Sequence, residues 1–76
     1  MEPETISVVF SRAEAMVLFE LLARCDETKN LPVEHASEQT MLWVLEGQLE
    51  KQLREVFAPN YNELVEAARQ EVGRTR

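Results

Sequence analysis

Cysteine, histidine and glycine are scarce in this sequence of 76 residues, which holds one cysteine, one histidine and two glycines. A single cysteine excludes an internal disulfide, and the acidic N-terminus lacks the basic region of a secretion signal, so we expect a cytoplasmic location. Two isolated glycines provide no glycine-rich phosphate loop. The longest apolar run, residues 15–19, ends at Glu20 and is far shorter than the roughly 20 residues of a membrane span.

Basic residues are also few, 8 against 14 acidic ones, and the formal net charge is -6. The acidic excess lies in residues 1–38, where eight acids face three bases. Nucleic acids and anionic membrane surfaces both attract basic proteins, so neither is an expected partner. A basic partner protein is compatible with this charge, although such a charge also simply keeps a small domain soluble.

Composition and hydrophobic periodicity predict one small, mainly α domain with a minor β element. With 45% hydrophobic residues, the chain is too apolar to be disordered. Ile6, Val8 and Phe10 alternate with other residues in the pattern of a strand with one buried face. Ser11 and Glu14 fit a capping box at a helix start. The predicted elements within the single domain 1–76 are a strand at 5–10, a helix at 12–26, an extended segment at 31–34 that is a candidate to pair with 5–10, and helices at 36–56 and 60–72.

The first predicted helix is apolar almost all round its axis, and three short helices offer few places to bury such a surface. Trp43 and Val44 lie off the main apolar stripe of the second helix. Tryptophan is frequent at binding hot spots, although packing inside the monomer is equally compatible with Trp43. The predicted partner interface consists of Met16, Val17, Leu21, Trp43 and Val44, rimmed by Glu14, Glu20 and Arg24.

Side chains that carry catalysis or bind metals form no recognisable constellation. Cys25 lies on an apolar helix face, and His35 follows ten residues later beyond a loop, so no nucleophile and base are paired. One histidine and one distant cysteine do not make a zinc site within one chain. The glutamate pairs of the second and third helices lie on solvent faces. We therefore predict no catalytic, cofactor-binding or metal-binding residues, no cofactor and no enzyme activity.

Several short motifs of the chain form a recognisable pattern. They are Glu-Ala-Met-Val-Leu-Phe-Glu at 14–20, Glu38, Leu42-Trp43, Leu45-Glu46, Leu49-Glu50-Lys51, Phe57-Ala-Pro-Asn-Tyr61, and Leu64 with Ala67-Ala68-Arg69. Together they resemble a group of short uncharacterised bacterial proteins with no established activity. The resemblance covers about residues 5–70 and concerns packing and capping positions. It implies a bacterial cytoplasmic origin and assigns no functional residue.

The function that these observations predict is a non-enzymatic protein–protein interaction module. We expect it to form a homodimer or to join a small hetero-complex, because its apolar surface exceeds what the predicted helices can cover. The alternative is an acidic inhibitor or immunity-type protein that neutralises a basic toxin or nuclease, which the acidic first half of the chain motivates.

Overall fold

A computed structural model describes residues 4–29 and 32–74 of the protein. Within these residues the secondary structure consists of helices, so the prediction of a mainly α fold is confirmed. The elements in chain order are α1 (Arg12–Thr28), α2 (Ala36–Gln52), a short 3-10 helix (Arg54–Phe57) and α3 (Tyr61–Gly73).

The strand predicted at 5–10 is not formed, and this part of the prediction is wrong. Residues 4–10 are exposed, have no regular secondary structure and make no backbone hydrogen bond to any other described residue. The proposed partner segment, 31–34, is described only from residue 32, and residues 32–34 are irregular as well. The amide of Glu34 donates to the Glu38 carboxylate at 2.8 Å and so serves the start of α2. A strand needs a hydrogen-bonded neighbour, and 5–10 has none within the described chain.

The predicted capping box at the start of α1 is present. The Glu14 amide donates to Ser11 Oγ at 3.1 Å, and the Ser11 amide donates to Glu14 Oε1 at 2.7 Å. These two bonds satisfy amides that have no partner inside the helix. They fix the first turn of α1 directly after the irregular segment 4–10.

The start of α2 uses a histidine where α1 uses a serine. The Ser37 amide donates to His35 Nδ1 at 3.1 Å, and Glu38 receives the amides of Glu34 and His35. The sequence places His35 beyond a loop and indicates no role for its side chain. In the structure the ring caps the helix.

The predicted helix at 36–56 is interrupted, because α2 ends at Gln52 and the buried Leu53 has extended backbone angles, with φ -102° and ψ 93°. The guanidinium of Arg12 is bound at this break. It donates from Nη2 to the Gln52 carbonyl at 3.1 Å and from Nε to Glu55 at 2.8 Å, with a second bond to the same carboxylate. A carbonyl that would lack a partner at the helix end is thereby satisfied by α1.

A low pH should weaken the contact of Arg12 with the end of α2 and with Glu55. The hydrogen bonds from Arg12 are the main reason that the pKa of Glu55 falls to about 2. Because the folded pKa is depressed, the stabilisation is complete above the ordinary pKa near 4.5 and is lost as the pH falls towards 2. Between pH 5 and pH 2.5, we expect the melting temperature of Glu55→Gln to fall less than that of the wild type. Glu50→Gln, which removes an exposed glutamate of α2, is the control and should follow the wild type.

The core is organised around α1, which packs against both other α-helices. Contacts between α1 and α3 are the most extensive, whereas α2 and α3 hardly touch each other. Both α2 and α3 run antiparallel to α1, since Arg12 meets the end of α2 and Glu20 meets Tyr61 at the start of α3. The buried side chains among the described residues are Ala15, Met16, Phe19, Leu22, Leu49, Leu53, Val65 and Ala68.

Candidate interaction surface

We call residues 4–10 the N-terminal segment. An apolar groove lies between this segment and α2, and we call it the N-terminal groove. It has a volume of about 380 Å³, and none of the described residues in its lining is ionisable. The polar side chains among these lining residues are the neutral amides of two glutamines. The lining residues are Ile6, Val8, Phe10, Met41, Leu45, Gln48, Leu49 and Gln52.

The α2 wall of the groove follows from helical spacing. Met41, Leu45 and Leu49 are four residues apart and therefore form one stripe along the helix. Their burial changes along the stripe, because Leu49 is in the core, Leu45 is half-buried and Met41 is exposed. The stripe thus connects the hydrophobic core to the surface beneath the N-terminal segment.

The opposite wall is formed by the N-terminal segment, in which every second side chain faces the groove. Ile6, Val8 and Phe10 line the groove, and the intervening residues do not. A spacing of two residues on one side is the side-chain pattern of a strand, although no ladder is formed here. All three side chains are substantially exposed, so the groove is a shallow and open apolar surface.

The apolar residues predicted for the interface do not form one surface. Met16 is buried in the core, and Val17 is half-buried against it. Leu21, Trp43 and Val44 are exposed, as the prediction requires, and Trp43 keeps 53% of its accessible area. The burial of Met16 within the monomer removes it from any surface patch.

Trp43 of α2 packs beside one side of α1, and Leu21 projects from a different side of α1. The indole Nε1 of Trp43 donates to Asp26 Oδ1 at 3.0 Å, which places the tryptophan next to Asp26. Leu21 precedes Asp26 by five residues, which corresponds to about 140° around a helix. The two exposed side chains therefore point away from each other.

The three charged residues predicted for the rim have structural partners. Glu14 belongs to the capping box of α1, and Glu20 lies 3.8 Å from Arg24. The Tyr61 hydroxyl donates to Glu20 Oε1 at 2.9 Å and joins α3 to α1. Burial, followed by this hydrogen bond, raises the pKa of Tyr61 to about 12. Glu20 thus stabilises the helix packing inside the monomer.

A second cleft lies between α1 and α2 and includes Cys25, Asp26 and Glu46. Burial and the neighbouring charge of Asp26 raise the pKa of Glu46. Cys25 does not share this place with Glu20, which faces α3, or with His35, which caps α2. In the part of the chain that the structure describes, no three His, Cys, Asp or Glu side chains are grouped to hold a metal ion.

Within residues 4–29 and 32–74, the helices lack the combined length and apolar character of a membrane span. Comparison of the chain with protein-family models, with curated proteins and with solved structures gives no match in any of the three. The resemblance to short bacterial proteins therefore stays a prediction, and the functional argument depends on the surface described above.

Proposed function

We propose that the protein is a non-enzymatic interaction module that forms a homodimer through the N-terminal groove. The observation that supports this proposal is the placement of three exposed apolar side chains from 4–10 beside the apolar stripe of α2. Contiguous exposed apolar surface is uncommon on monomeric proteins and is typical of association sites.

The accessible area of the chain supports association. A compact monomer of 8.8 kDa exposes about 4,800 Å² by the usual scaling with mass. This chain exposes 6390 Å², roughly a third more. An excess of this size indicates that part of the chain is not packed against the helices, and residues 4–10, which are all exposed, belong to that part. This exposed segment is the surface that a second copy would cover.

The charge distribution favours a second copy over a basic partner at this surface. The described residues that line the N-terminal groove include no acidic side chain, so they offer no attraction to a basic toxin or nuclease. Two acidic chains with a charge of -6 each can nevertheless meet there, because their charges remain outside the contact. The acidic inhibitor remains the alternative function, and it would use a different surface.

Sedimentation equilibrium on the full chain tests the proposal. We expect a monomer–dimer equilibrium within the micromolar range and a dimer at the upper end of that range. A monomer at every concentration up to about 100 µM would overturn the proposed function. Glu63→Gln, on the solvent side of α3, is a control variant that should dimerise like the wild type.

Salt dependence separates the two functions. Raising the salt concentration screens the repulsion between two acidic chains and strengthens contacts between apolar surfaces, so we expect a tighter dimer. A complex held by attraction between an acidic inhibitor and a basic target weakens under the same change. The measurement is the dimer dissociation constant at low and high sodium chloride, and a dimer that dissociates at high salt would contradict our proposal.

A further inference from the structure

We infer that residues 5–10 pair in antiparallel orientation with the same residues of a second copy. The two chains then share a two-stranded β-ribbon centred on Val8. This inference rests on the homodimer proposed above and names the element that joins the two copies. It also identifies the partner that the predicted strand lacks inside the monomer.

The backbone of this segment is available for pairing. Residues 4–10 make no backbone hydrogen bond within the described chain, and all of them are exposed. Their amides and carbonyls resemble those of an unpaired sheet edge, which binds another strand. The residue types also fit, because 5–10 is rich in β-branched and aromatic side chains, with one threonine, one isoleucine, two valines and one phenylalanine.

Symmetry restricts the register of such a ribbon. A dimer of identical chains has a two-fold axis, and for an antiparallel pair this axis is perpendicular to the ribbon. Rotation about that axis keeps each side chain on the same face of the ribbon. Directly opposed residues must share a face, so the sum of their residue numbers is even. The axis therefore passes through a residue position, and the central candidates are Ser7 and Val8.

The apolar side chains favour Val8 as the centre. In this register Ile6 opposes Phe10 of the second copy, and the two Val8 side chains oppose each other. Ile6, Val8 and Phe10 then each oppose an apolar residue of the second copy. With Ser7 at the centre, Phe10 would instead oppose the charged Glu4 of the second copy. Pairing an aromatic ring with a carboxylate provides no comparable stabilisation.

The same register gives the ribbon one apolar and one more polar face. Ile6, Val8 and Phe10 of both copies share the face that borders the N-terminal groove, and the residues between them share the other face. An isolated two-stranded ribbon is only marginally stable in water. The stripe on α2 that includes Met41 and Leu45 supplies the additional packing, since it lies across the groove from the same side chains.

Cysteine cross-linking tests the register. The variants are Val8→Cys and Val9→Cys, each in full-length protein that also carries Cys25→Ala. With the axis at Val8, the two Cα atoms of residue 8 lie about 4.5–5.5 Å apart, within the range of a disulfide. The two Cα atoms of residue 9 lie about 8 Å apart, beyond that range. Upon air oxidation we expect Val8→Cys to form covalent dimers and Val9→Cys to remain largely uncross-linked.

Two results would overturn the ribbon. One is a wild-type dimer in which Val8→Cys does not cross-link. The other is equal cross-linking of both variants, which indicates contact without a fixed register. In either case the proposed homodimer stands and only the ribbon fails. If the wild type is monomeric at every concentration, the proposed function and the ribbon fail together.

Amide hydrogen exchange of the wild type provides a test without substitutions. We expect every second amide of residues 5–10, those whose N–H groups point towards the other strand, to be protected at concentrations that favour the dimer and to exchange rapidly after dilution to monomer. A dimer in which these amides exchange as fast as in the monomer would overturn the ribbon.

Discussion

Val8→Asp is expected to weaken the homodimer by at least about 100-fold, equivalent to about 2.7 kcal/mol. The substitution places a carboxylate on the apolar side of the N-terminal groove, where none of the described lining residues carries a positive charge to compensate its desolvation. Because the two copies of residue 8 oppose each other in the proposed ribbon, two negative charges also meet at the centre of the contact. The measurement is the dimer dissociation constant by sedimentation equilibrium.

Val9→Asp is the matched control, since it makes the same chemical change one residue further along the chain. Val9 keeps 91% of its accessible area against 67% for Val8, and it does not line the groove. We expect this variant to dimerise within a few-fold of the wild type, because its side chain lies on the other face of the ribbon. Equal weakening by the two variants would contradict the assignment of faces.

Phe19→Ala is expected to lower the free energy of unfolding of the protein by about 3–5 kcal/mol. Phe19 is 6% exposed and belongs to the cluster in which α1 meets the other helices. Removing the ring leaves a cavity that a domain of 76 residues cannot easily close. Such a loss is a large part of the stability expected for a small domain, so the variant should be largely unfolded at moderate urea concentrations.

Phe57→Ala removes the same ring from a place where it is 78% exposed. We expect its free energy of unfolding, measured by urea denaturation, to stay within about 0.5 kcal/mol of the wild type. Both variants are compared at concentrations that favour the monomer, so that association does not contribute. A comparable loss of stability in the two variants would show that Phe57, and not only α1, contributes to the core.

Local signals in the sequence were sufficient for the three helices. Ser11 and Glu14 mark the start of α1 through contacts between residues that are close in the chain, and such contacts can be recognised without a fold. Asn60 precedes α3, but its side chain makes no capping bond there. The overall prediction of a mainly α chain holds because each helix has its own apolar period, and α1 also has a capping box.

Features that depend on distant residues were not predictable in this way. At the end of α2, the Gln52 carbonyl accepts a hydrogen bond from Arg12, which lies forty residues earlier in the chain. The apolar period continues through Val56, so the pattern alone predicts an uninterrupted helix. Trp43 similarly has its hydrogen-bond partner on α1, which the sequence does not indicate.

The candidate site was not located from the sequence, because none of the residues predicted for the interface lines the N-terminal groove. Leu21, Trp43 and Val44 are exposed as predicted, but the N-terminal groove was not foreseen, because 5–10 was expected to find a partner in 31–34. One signal for it was present in the sequence. Only residues 5–10 alternate clearly between apolar and other side chains. A single strand needs a hydrogen-bonded neighbour, which must then come from elsewhere. That reasoning leads towards a second chain.

The position of α1 between two helices that hardly touch has a consequence for cooperativity. Of the eight side chains buried in the described chain, α1 supplies four, whereas α2 supplies one and α3 supplies two. A fragment without α1 would retain little shared core, because α2 and α3 hardly touch each other and are linked mainly by the short 3-10 helix. Local opening of α1 is therefore equivalent to global unfolding, and its central amides should exchange at the slowest rate in the molecule.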